Sequence, residues 1–175
     1  VYFQYVPERV FFLLHMLGGM LFGGGVLLTA AIEWLVVGNK NETVLQFWFD
    51  KVPLLDGLIV LPALTVSMIS GTGLSIRRYG GLGHAPEHIQ AVFYALVAFC
   101  AWWAFTDLTT QGKALIAVNK WTANDEMAKT KTNEYAISDT SSEPNDVPSV
   151  VELRTISNVV SSMFVIVIYS IMVMK

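Results

Sequence analysis

Cysteine is nearly absent from this chain: Cys100 is the single one, and it stands in an apolar segment. No disulfide framework is possible. Charge is scarce too. Charged residues are 14% of the 175, the net charge is −3, and no basic tract occurs. That composition argues against nucleic acid as a partner. The chain contains no P-loop, no dinucleotide fingerprint and no nucleophile–base–orienter set. What it has in abundance is hydrophobicity, at 54% of residues and a mean hydropathy of +0.53. Those values suit a membrane protein.

Four runs are long enough to cross a bilayer, at about 20 apolar residues each. They cover roughly residues 10–37, 54–76, 89–106 and 155–174. The reading is an all-α membrane protein, a four-transmembrane-helix bundle forming one membrane domain over 1–175. Residues 1–9 lack the character of a signal peptide, because no small-residue cleavage pattern follows them. Residues 38–53 read as a short loop, with Phe47, Trp48 and Phe49 as interfacial anchors. Residues 77–88 read as a second short loop, with Pro86 placed to start the third helix. Residues 107–154 read as a polar loop. In it, Leu108–Trp121 suits an amphipathic surface helix, and Thr122–Ser149 a solvated stretch that a partner would hold. Asn41-Glu42-Thr43 is a glycosylation sequon, meaningful only in a secretory eukaryotic setting.

Four spans put both termini on one side, together with Arg77 and Arg78. Positive charge per residue favours the cytoplasm for that side, whereas total Lys and Arg count favours the reverse. Helical spacing gives inward faces. His15, Gly18, Gly19, Phe22, Val26, Thr29 and Glu33 share a stripe on the first span. Asp56, Ala63, Ser67, Ser70 and Gly71 align on the second, and Thr155, Asn158, Ser162 and Tyr169 on the fourth. Lipid would not solvate these groups, so they should face one another.

His15 lies inside the first span, and an intramembrane ionisable group usually serves a purpose. Depth along each span brings His88 and Tyr169 to the same leaflet, with Ser67 and Ser70. Glu33, Asp56 and Asp107 gather near the opposite face, as a proton path or as snorkelling groups at helix ends. Two histidines from different helices at similar depth suit the axial ligands of a haem b. Met16, Met20 and Met68 are substitute ligands. Gly19 and Gly24 would let a flat ligand approach, or serve plain helix packing. His15 has an alternative reading as an interior histidine satisfied by serine or a carbonyl, and His88 as a solvated helix-start residue. His84 and His88 are four residues apart, which suits a bare metal site with His15 if both lie on one helix.

In the first span, His15 is followed by Phe22, then Gly23, Gly24 and Gly25. This pattern resembles a group of small bacterial membrane proteins: the DUF2269 predicted integral membrane proteins, the CopD-like copper-resistance proteins and the HemJ-like protoporphyrinogen oxidases. The DUF2269 group looks closest, since Pro62-Ala63 through Ser70-Gly71-Thr72-Gly73 fits its style. The likeness covers roughly residues 10–106. It implies a functional His15, with Gly24 and Gly25 as packing or cofactor-approach positions, in a bacterial inner membrane. The HemJ-like pattern implies haem and porphyrinogen oxidation, but here Phe22 replaces a tryptophan, no arginine follows the first span and the third span has no lysine. The CopD-like pattern implies copper handling, although further Met/His metal motifs are missing. Two functions follow as expectations. One is a haem b electron-transfer module, with quinone as a possible partner. The other is a non-catalytic accessory subunit held by other membrane subunits. Copper or other metal handling is a third.

Overall fold

A computed structural model describes residues 5–134 and 149–173. They form five α-helices: α1 (Glu8–Asn39), α2 (Glu42–Leu55), α3 (Leu61–Tyr79), α4 (Glu87–Glu134) and α5 (Ser149–Val173). Among the described residues there is no strand. Four helical stretches are long and apolar enough to cross a membrane: Glu8–Asn39, Glu42–Tyr79, Glu87–Asn124 and Ser149–Val173. The chain is therefore an all-α membrane bundle of four spans.

Local chemistry sets the helix ends. Pro7 precedes α1, and Glu8 puts a carboxylate in its first turn, where the helix dipole favours it. Lys40 closes α1 with φ 53°. Asn41 then caps α2, its side chain accepting from the Val44 N–H at 3.2 Å. At the far end of α3, Gly80 takes φ 79°. Its N–H reaches the Ile76 carbonyl, and the N–H of Gly81 reaches that of Ser75. This double closure needs a left-handed residue, which glycine adopts without a Cβ penalty.

The helices outrun the bilayer. At 1.5 Å per residue, α1 is about 48 Å long and α4 about 72 Å, against a hydrocarbon core of about 30 Å. The bundle accordingly has two cores. Phe22, Val26, Val60, Ala63, Leu64 and Phe99 meet Val165 and Ile168 in the first, with Phe22 and Phe99 edge to face at 5.7 Å. The second lies at the other end, where Leu45, Trp48, Phe49 and Val52 of α2 pack on Ala114 and Val118 of α4 and Val151 of α5.

Three expected boundaries are corrected here. Residues 38–53 are mostly the helix α2, not a loop, and Trp48 and Phe49 are core residues rather than interfacial anchors. The expected second span is the continuation of α2 through a π turn at Asp56–Val60. Pro53 and Pro62 flank that turn. Each lacks the N–H that an α-helix requires, and the wider turn absorbs the mismatch. Most of the expected polar loop is helical as well. The third span runs on without a break to Glu134, and α5 starts at Ser149 rather than Thr155. The remainder of that loop, 135–148, lies outside the described residues.

α1 packs against α3 and α5, and α4 packs against α5 and α2. At Gly18 the α1 and α3 backbones nearly touch: a Cβ there would lie 2.9 Å from the Ala63 carbonyl oxygen. α3 and α4 make no comparable approach to each other. The gap between them holds the cavity described next.

Candidate functional site

His15 is held by α3. Its Nδ1 lies 2.8 Å from the Ser67 carbonyl oxygen. A carbonyl can only accept, so Nδ1 carries the proton, and in the neutral ring Nε2 keeps its lone pair. The Ser67 hydroxyl stands 3.4 Å from the same Nδ1. The imidazole packs against Gly71, where a Cβ would come within 2.9 Å of Cε1. Only glycine at 71 leaves room for this ring position. The interior-histidine reading is thus met at Nδ1, which the Ser67 carbonyl holds.

His15 opens onto a cavity of about 260 Å³ that lies between α3 and α4. Phe12, Met68, Val92, Phe93 and Leu96 give it apolar walls, and Met172 of α5 closes one side. Its polar groups are few: His15, His88, Thr72, Ser75, Arg78 and Tyr79. Arg78 forms the rim, where its Nη2 and Nε both reach Glu8 Oε1, at 2.8 and 3.0 Å. The site is small among ligand sites, which span about 300–1,000 Å³, and it has their usual form of apolar walls with a few convergent polar groups.

The structure brings His15 and His88 to one cavity. His88 is half-buried in the first turn of α4. Tyr169 goes elsewhere: its hydroxyl donates to the Gly19 carbonyl. A Cβ at Gly23 would lie 2.6 Å from the Tyr169 ring. The Gly19–Gly23 notch is therefore filled by a side chain of the bundle itself. Gly24 is exposed with nothing near its Cα. Ser70 is spent on the Val66 and Ser67 carbonyls. Met68 lines the cavity, whereas Met16 and Met20 are exposed. His84 is exposed in a short 3₁₀ turn, and Ala85 after it is extended. His84 and His88 consequently do not share a helix face, and His84 is not among the residues lining the cavity. Among the described residues no group of three or more His, Cys, Asp or Glu side chains could hold a metal ion.

The opposite end carries a buried ion pair. Glu33 is fully buried, and Arg154 nearly so. Arg154 Nε lies 3.2 Å from Glu33 Oε2. Trp48 Nε1 donates to the same oxygen at 3.4 Å, and the Thr155 hydroxyl to Oε1 at 3.4 Å. The Arg154 guanidinium also lies over the Phe49 ring. Glu33 therefore ties α1 to α2 and α5, a structural role that its expected place in a proton path did not include. Asp56 is also buried. The side chain of Asp107 lies outside the described residues.

Sequence reasoning missed Ser75, Arg78 and Arg154. Ser75 and Arg78 continue the Ser67–Gly71 stripe toward the end of α3, so the same helical arithmetic would have found them. For Arg154 the signal was Glu33 itself, since an acid deep in an apolar run requires a cation from a neighbouring helix.

Compared with protein-family models, with curated proteins and with solved structures, the chain matches none. The class it belongs to is therefore defined by its own fold: a four-span helical membrane bundle with a side cavity.

Proposed function

We propose that the protein carries one haem b in this cavity and passes electrons within the membrane. His15 and His88 would hold the iron in this reading, each through a ring nitrogen. One observation carries it: two imidazoles from helices far apart in sequence line the same cavity, and the inner one has its Nδ1 proton held by a backbone carbonyl. That arrangement is how ligating histidines are oriented and made more basic. The macrocycle would occupy the gap between α3 and α4 that forms the cavity, with part of it extending beyond the enclosed volume. Haem supplies the one-electron chemistry when bound. The chain's own residues supply the Nε2 donor, the orientation imposed by Ser67 and Gly71, and apolar walls that exclude water. A quinone dissolved in the bilayer of a bacterial plasma membrane is the matching electron partner. Purification from haem-supplemented membranes, followed by pyridine haemochrome assay, tests the reading. About one haem b per chain is the expected result, and folded protein without haem overturns it.

A second reading is an accessory subunit of a larger membrane complex. It draws on α4, whose most apolar stretch is only 6% buried, against 17% to 33% in the other spans. Tyr94, Trp102 and Phe105 are among its exposed residues. Photocrosslinking from position 105 in native membranes tests it. A discrete larger product supports a subunit contact, and lipid adducts alone count against one. Bare metal handling has less to support it, because His84 stands apart from the two cavity histidines.

A further inference from the structure

We infer that Ser75 and Arg78 form a seat for a carboxylate at the mouth of the cavity, and that it receives a propionate of the bound haem. This rests on the haem reading above, but the observations behind it are separate.

Ser75 is the anomaly. It is 4% exposed, it lines the cavity, and its hydroxyl has no hydrogen-bond partner. A buried, unbonded hydroxyl is costly. The usual relief inside a helix is a bond to the carbonyl four residues back. Three neighbours on the same helical stretch take it: Thr65 to Leu61, Ser70 to Val66 and Thr72 to Met68. Ser75 does not, although the Gly71 carbonyl is in the equivalent position. Its O–H is left for something inside the cavity.

Arg78 is three residues further on, which puts it on the same face of α3 one turn nearer the membrane surface. Its Nη2 and Nε both bond a single oxygen, Glu8 Oε1, and it also interacts with the Tyr79 side chain. A guanidinium has five N–H donors in a planar fork, so it has capacity for a second carboxylate. A hydroxyl and a guanidinium one turn apart, above an apolar chamber, match a ligand with a large apolar body and an anionic edge. His15 lies seven residues below the Glu8 level of α1, about 10 Å. On α3, Ser75 lies one turn and Arg78 about two turns beyond Gly71, where the His15 ring packs, so the donors for the edge run from beside His15 out to the rim. Glu8 opposes the arrangement electrostatically. The Glu8 and Arg78 side chains are both largely solvent-exposed, so water screens this repulsion.

A bilayer fatty acid offers the same chemistry, an apolar chain with a carboxylate, and the test separates the two sources. Purified apo-protein in detergent is titrated with haem b, with haem b dimethyl ester and with oleate. Wild type, Ser75→Ala and Arg78→Gln are compared, and circular dichroism confirms the fold of each. Losing one charge-assisted hydrogen bond corresponds to about tenfold in affinity. Wild type should prefer free-acid haem over the ester by about that factor, and Arg78→Gln should abolish the preference. Ser75→Ala, which removes one atom and a buried unbonded group, should weaken haem binding without destabilising the protein. Equal affinity of wild type for acid and ester overturns the seat while leaving haem binding intact. If haem does not bind at all, the haem reading fails. The seat then stands only if oleate binds and Arg78→Gln loses it; oleate binding that ignores Arg78→Gln, or no binding, overturns it.

Discussion

At Glu33 a carboxylate sits with no solvent contact in a helix that is otherwise apolar around it. Three donors from two other helices converge on it, and Arg154 supplies the compensating charge. Removing one member of such a pair leaves the other buried and unpaired, which costs about 3–5 kcal/mol. Glu33→Ala should therefore lower the unfolding midpoint in detergent by a large margin. The double variant Glu33→Met with Arg154→Met should recover much of that loss, because apolar replacements of similar volume are often tolerated. A double variant as unstable as the single would contradict the pairing account. Gly71 makes a smaller claim. A methyl at 71 would meet the His15 ring at 2.9 Å, and forced repacking of this kind costs about 1–3 kcal/mol. Gly71→Ala should displace the imidazole, so its ring proton signals should shift in NMR. Unchanged His15 signals would mean that the ring does not pack there.

The elements show why part of the fold was legible and part was not. The apolar runs identified four spans, because about 20 apolar residues in a row have few other uses. The stripe from Gly18 to Glu33 on α1 was also legible, because a helix in lipid must turn its small and polar groups inward. α2 was not. Its Phe47-Trp48-Phe49 run suits an interfacial belt as well as a packed helix, and Pro53 suggests a break. The π turn that carries the helix past Pro53 leaves no mark in the sequence. Helical structure over Glu42–Leu55 has a direct test in hydrogen exchange. Amides of Leu45, Phe49 and Val52, all fully buried, should exchange slowly in detergent, whereas a loop would exchange within seconds. The α3 end makes a parallel case. Placing alanine in the left-handed conformation of Gly80 costs about 1–2 kcal/mol. Gly80→Ala should show that loss in thermal unfolding, while Gly83→Ala, at an exposed position with open space, should be near neutral.

On the scale of the whole molecule, the helices form two cores, with the Glu33–Arg154 pair against the second one and the histidine cavity at the opposite end. Depth along the chain was enough to bring His15 and His88 together, because an even number of spans returns both helix ends to the same side. Depth was not enough for Tyr169. It reaches the same leaflet but points into the Gly19–Gly23 notch, and rotation about the helix axis is decided by packing that hydropathy does not record. For the same reason the gap between α3 and α4 was not legible in the hydropathy pattern. The most direct measurement is the oxidised and dithionite-reduced visible spectrum of gently purified protein, taken beside His15→Ala and His88→Ala. The account predicts a reduced b-type spectrum in the wild type, lost in His15→Ala and altered in His88→Ala. A flat wild-type spectrum in folded protein, or a haem spectrum that both variants retain unchanged, would contradict it.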